Sequence, residues 1–121
     1  MATALLLIAH GSRHAEANAD LHHVADELRG RGHAMVVASF LELAEPGVLA
    51  GGRQCVALGA DRVVLVPYFL SAGVHVRRDL TAFREQLAAE FPGVTFLLAE
   101  PLGRSPLLLA VVEERVREAL G

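Results

Sequence analysis

Two histidines, two glutamates and a few arginines stand where chemistry is possible. His10 ends the apolar run at residues 5–9 and is followed at once by Gly11, Ser12 and Arg13. His75 closes the stretch "PYFLSAGVH", and Glu42 and Glu45 lie in "LELAEP". Imidazole nitrogen and carboxylate oxygen together suit a borderline divalent ion such as cobalt, nickel, iron or zinc. A set of two or three protein ligands leaves coordination positions open, as reaction at a metal requires. Each residue also has a plainer reading. A histidine after a strand can be structural, carboxylates near a helix start favour its dipole, and Gly11 and Gly73 can serve tight turns alone. What singles these residues out is that their elements should bring them to one place.

Four apolar runs supply those elements. They cover residues 5–9, 35–41, 63–66 (continuing through Pro67 to 70) and 94–99. The first, third and fourth are continuous rather than alternating, as in parallel strands buried on both faces. Between and after them run helical stripes: Leu21, Val24 and Leu28; Leu80, Phe83, Leu87 and Phe91; Leu108, Val111, Val112, Val116 and Leu120. The segment 46–58 is a weaker helix, interrupted by Gly51 and Gly52, with Pro46 suited to its first turn. The alternation predicts an α/β fold: one three-layer domain over residues 1–121, with a four-stranded, mostly parallel sheet in order 2-1-3-4 and helices on both faces. Such a sheet has its topological switch between strands 1 and 3, and open sheets take ligands there, outside the carboxyl ends. His10, Glu42, Glu45 and His75 all follow strands at that edge.

Composition narrows the field. Of 121 residues, 53% are hydrophobic, yet no apolar run approaches the roughly 18–20 residues of a membrane span. The start lacks the basic flank of a secretory leader. The single Cys55 forbids an internal disulfide, so a cytoplasmic protein with no membrane association is expected. A net charge of −3, no tryptophan and no basic stripe argue against nucleic acid. Of the six histidines, His14, His22, His23 and His33 read as surface residues on or after the first helix. The His-Gly-Ser turn could cradle phosphate, but no Walker lysine, GxGxxG or GxSxG pattern accompanies it. Ala9, rather than arginine, precedes His10, unlike the histidine phosphatases. Cys55 falls in a helical stretch and reads as packed.

"LLLIAHGSR", "FLELAEP" and "VVLVPYFLSAGVHVRRDL", with the later "AEPLG", resemble the small sirohydrochlorin chelatases of the class II tetrapyrrole chelatase family, in the family's order and over nearly the whole chain. The resemblance implies ATP-independent insertion of cobalt, iron or nickel into sirohydrochlorin or a close precursor, in cobalamin or siroheme biosynthesis, with no cofactor beyond the metal substrate. It implies that His10 and His75 bind the metal and that His10 also accepts a proton. Glu42 or Glu45 assists as ligand, base or substrate contact, with Glu42 taken for the metal and catalysis and Glu45 for the substrate. Leu70, Ser71, Ala72, Gly73, Val74 and His75 line the macrocycle pocket, and Arg13 meets the substrate. Arg77, Arg78 and Arg104 either pair with substrate carboxylates or are solvated first-turn residues. Longer relatives hold two such lobes in one chain, so a homodimer is expected here. A non-catalytic metal or tetrapyrrole carrier using the same cluster is the alternative.

Overall fold

The computed structural model describes residues 1–121. In chain order the elements are β1 (Thr3–Ala9), α1 (Ala15–Gly30), β2 (Met35–Phe40), α2 (Val48–Ala57), β3 (Arg62–Pro67), α3 (Val74–Glu90), β4 (Thr95–Leu98) and α4 (Pro106–Leu120). The sheet runs β2-β1-β3-β4, and all three pairings are parallel. The expected order and the expected switch between β1 and β3 are both present.

β1 is continuously apolar because both of its faces are covered. Ala4, Leu6 and Ile8 join Val37, Val63, Leu65 and Phe96 in a core that α2 and α3 close with Val48, Cys55, Leu80 and Leu87. Leu7, on the other face, joins Val36, Ala38 and Phe40 under Leu21 and Ala25 of α1. Ser39, the one fully buried polar residue of β2, donates its hydroxyl to the Leu7 carbonyl at 2.8 Å, so burial leaves no polar group unpaired.

Of the boundaries that differ from expectation, two shape the site. β3 ends at Pro67 rather than 70: Tyr68 N–H still donates to the Ile8 carbonyl at 2.7 Å, and the chain then leaves the sheet. Pro46 is not in the first turn of α2. Its carbonyl accepts from Phe40 N–H at 3.0 Å, Gly47 bridges Phe40, and the helix starts only at Val48.

The larger differences concern two helices. In α2 the glycines do not weaken the element; they seat it. A Cβ on Gly51 would lie 2.8 Å from Leu6 Cδ1, and one on Gly52 would lie 2.6 Å from Leu87 Cδ1. Helix α2 is thereby wedged between sheet and α3, which any side chain at these positions would prevent. α4 does the opposite. It buries no residue, and from Leu109 onward every residue is exposed. Its predicted core stripe faces solvent.

Candidate active site at the carboxyl edge of the sheet

The turn after β1 answers to a backbone collision. Gly11 has φ +94°, a conformation that L side chains rarely adopt, and a Cβ there would strike the Glu42 carbonyl. The exits of β1 and β2 therefore lie against each other. Leu41 N–H donates to Ala9 C=O at 2.9 Å, and Glu42 N–H donates to His10 C=O at 3.1 Å. This pair of bonds extends the β1–β2 ladder past the strands and sets His10 beside Glu42.

The rest of the turn is held by Asn18. Its Oδ1 accepts from Ser12 N–H at 2.9 Å, its amide donates to Ser12 C=O at 2.8 Å, and Ser12 Oγ accepts from His14 N–H at 3.0 Å. These bonds fix the turn rather than cap the helix: none reaches the N–H of Ala15 or Glu16, and the N-cap position His14 makes no side-chain cap bond. The His10 ring stacks on Phe69, with centroids 4.5 Å apart and planes 30° apart.

His10 and Glu42 line one small cavity of about 190 Å³ with Leu41, Val76, Asp79 and Phe83. Glu42 and Glu45 line a neighbouring depression of about 480 Å³ with Phe40 and Leu43. Arg13 and Glu45 share a third, about 350 Å³, with Ser12 and Asn18. Beyond β3, Leu70, Ser71, Arg77 and Arg104 line a cleft of about 460 Å³ with Glu100 and Gly103. Thus the carboxyl edge carries a row of open depressions: a histidine and carboxylates above β1 and β2, arginines above β3 and β4.

His75 is exposed on the first turn of α3 and lines none of these cavities; its neighbour Val76 does. No three His, Cys, Asp or Glu side chains converge closely enough to hold a metal among themselves. Gly73 is the N-cap of α3, and the Ala72 carbonyl accepts from Arg77 Nε at 3.1 Å. Arg77 also meets Glu100 at 3.4 Å, an exposed pair. Leu43, Tyr68, Leu70 and Val74 are exposed apolar side chains around this edge. Arg78 is exposed on α3, outside the arginine cleft.

Three residues escaped the sequence reading. Asn18 sat unremarked in the first turn of α1, although Asn is well suited to bind nearby backbone. Phe69 lies in the apolar strand-3 segment, whose pattern predicts strand, and the structure instead stacks its ring on His10. Asp79 lies four positions after His75, the spacing that puts two side chains on one helix face, and that was the available signal.

Comparison with known proteins bears on all of this. The CbiX family model matches residues 4–119. A sirohydrochlorin ferrochelatase of Arabidopsis thaliana, named as chloroplastic, is 36% identical over 98% of this chain and 53% of its own length. A sirohydrochlorin cobaltochelatase of Sulfolobus acidocaldarius is 32% identical over 96% of this chain and 91% of its own. The chain therefore spans about half of the plant relative and nearly all of the archaeal one. Among solved structures, a putative cobalamin biosynthesis CbiX protein from Marinobacter aquaeolei superposes with a TM-score of 0.84 at 34% identity, covering 98% of this chain and 97% of that one. The sirohydrochlorin chelatase SirB from Bacillus subtilis, in complex with cobalt, has a TM-score of 0.87 at 26% identity, covering 98% of this chain and 51% of that one. By sequence over almost its whole length, and by fold, the chain belongs to the CbiX family.

Proposed function

We propose that this protein is a chelatase that inserts cobalt or iron, without ATP, into sirohydrochlorin or a close tetrapyrrole precursor. The observation that carries the reading is the pairing of His10 with Glu42 at the open carboxyl edge of the sheet, in a chain whose relatives are named sirohydrochlorin cobaltochelatase and ferrochelatase.

The chemistry follows from the substrate. A free tetrapyrrole holds two inner N–H protons, and a divalent metal replaces both. His10 is exposed and braced by Phe69, so it can accept one proton. Glu42, beside it, takes the second or offsets the charge of the arriving metal. His75 is the second imidazole for the metal, standing free of hydrogen-bond partners on α3. A sparse set of protein donors favours transfer over retention: a metal held by few ligands can be surrendered to pyrrole nitrogens. The apolar side chains of Leu70 and Val74 offer a face for the macrocycle, with Ser71, Ala72 and Gly73 between them. Arg13, Arg77 and Arg104 meet its carboxylates, which the guanidinium fork suits. Glu45 orients Arg13 or the substrate from the same depression. No helix is long and apolar enough to cross a membrane, and we place the protein in the cytoplasm, working as a homodimer and needing no cofactor beyond its metal substrate.

The test is spectroscopic. Purified protein with sirohydrochlorin and cobalt or ferrous iron should accelerate the absorption change of metal insertion over the spontaneous rate. His10→Ala should remove about 10²-fold or more of that acceleration, the usual worth of a positioned proton acceptor. Tight binding of metal or macrocycle with no acceleration would show a carrier and overturn the reading.

A further inference from the structure

Glycine fills the open turns of this chain where the backbone turns left-handed. Gly32 after α1 has φ +101° and Gly59 after α2 has φ +103°, and a side chain at either would touch nothing. Glycine stands there for the backbone alone. Two further positions take the same conformation without it: Leu43 at φ +65° and Arg104 at φ +66°. Both lie at the carboxyl edge. Arg104 lines the arginine cleft beyond β3, and Leu43 lines the two depressions that hold Glu42, Glu45 and Arg13. A left-handed backbone brings the Cβ of an L-residue against the following carbonyl oxygen, so leucine destabilises the turn where glycine would not.

The interior does not account for Leu43. It belongs to neither hydrophobic core, and it is 52% exposed. Its turn is fixed from both ends without the side chain. Glu42 N–H donates to the His10 carbonyl at 3.1 Å, and Phe40 N–H donates to the Pro46 carbonyl at 3.0 Å. These bonds pinch residues 40–46 into a closed loop, and Leu43 rides at its apex. Backbone strain that the surroundings hold in place, with no packing to compensate it, belongs to ligand-binding sites.

The strand order says what flanks that apex. The exits of β2, β1 and β3 stand in a row, so Leu43 is on one side of His10, and Leu70 and Val74 are on the other. We propose that Leu43 is a substrate contact, the second apolar wall of the macrocycle pocket, and that the flat ring of sirohydrochlorin lies over His10 between Leu43 and the Leu70–Val74 pair. The strained turn holds out an apolar contact that is made only when the ring arrives. The inference rests on the chelatase reading above for the identity of the ligand.

Titration with metal-free sirohydrochlorin, followed by its visible absorption, and thermal unfolding together separate side chain from backbone. Leu43→Gly and Leu43→Ala should each weaken the affinity about five- to tenfold, the worth of covering the exposed half of a leucine side chain. The two should part in stability. Leu43→Gly, freed of the left-handed penalty, should melt at least about 2 °C above Leu43→Ala, which retains it. Neither should melt more than about 2 °C below the wild type, because the side chain lies outside both cores. Unchanged affinity in both variants, or a loss in Leu43→Gly alone, overturns the contact. Equal midpoints remove the strain on which the inference stands, and a Leu43→Ala midpoint far below the wild type makes the residue structural; either result overturns it as well. A wild type that binds no sirohydrochlorin overturns the contact and the chelatase together. A wild type that binds the ring through Leu43 but accelerates no metal insertion overturns the chelatase alone.

Discussion

Helices α2 and α4 read in reverse. In the sequence α4 carries the cleaner stripe and α2 the broken one. In the structure α2 buries Val48, Gly51, Gly52 and Cys55, while α4 buries nothing. Their charged residues differ in the same sense. Arg53 of α2 reaches across to Glu90 of α3 with two hydrogen bonds, at 2.9 and 3.1 Å, whereas Arg115 of α4 reaches only Glu114 and Glu118 of its own helix. An amphipathic stripe does not by itself place a helix in the core. A pair of glycines inside a helix, conversely, marks close approach as readily as weakness.

The contrast can be broken by substitution. The largest expected effect is at Leu87, the α3 side chain against which α2 is seated. Leu87→Ala should cost about 2–5 kcal/mol of unfolding free energy in a urea titration. A loss under about 1 kcal/mol, well below the core range, would mean that α2 is loosely held. Gly52→Ala comes next. The added methyl meets Leu87, which is buried and has little room to move. Overpacking of about 1–3 kcal/mol outweighs the gain of about 1 kcal/mol in helix propensity. Combined with Leu87→Ala, the same methyl enters vacated space, so the double variant should be more stable than the sum of the two losses allows. Val116→Ala on the exposed α4 should change the unfolding free energy by no more than about 0.5 kcal/mol. A cost like that of Leu87→Ala would place Val116 in the core.

The smallest effect belongs to the Arg53–Glu90 pair, whose members are exposed. The hydrogen bond from Arg53 holds the Glu90 carboxyl below its ordinary range. A depressed folded-state value means that the pair contributes above the unfolded carboxylate value and stops contributing as pH falls through the folded one. The thermal midpoint of Glu90→Gln should therefore lie slightly under wild type at neutral pH and converge with it in acid. A gap that widened in acid would contradict the assignment.

Most of the sheet was legible because the β1 residues from Ala4 to Ala9 face a core on one side or the other, and that leaves a continuous apolar run. The site was legible as far as strand exits place residues: His10 and Glu42 meet because β1 and β2 are neighbours. The expected meeting of His10 with His75 is a different matter: the two line no common cavity. His75 rides on the first turn of a helix, and where a helical residue points depends on how that helix is seated, which spacing alone does not encode. Asn18 and Phe69 were hidden for a related reason. Both act on the backbone or ring of His10's turn, through contacts that exist only after the loops have closed. The exposure of α4 was invisible because an apolar stripe reads the same whether its helix packs on the sheet or stands off it.

The buried Cys55 has a last consequence. Desolvation pushes its thiol up to about 11, so near pH 7 only about one molecule in ten thousand carries a sulfur anion. Soft ions and oxidants thus find no accessible thiolate, and the exposed sulfur is the Met1 thioether. At the carboxyl edge a visiting metal meets imidazole and carboxylate from His10 and Glu42, donors that suit mid-row divalent ions better than thiophilic copper(I). Alkylating reagents should leave the native protein untouched, and aerobic handling should not link its molecules through disulfides.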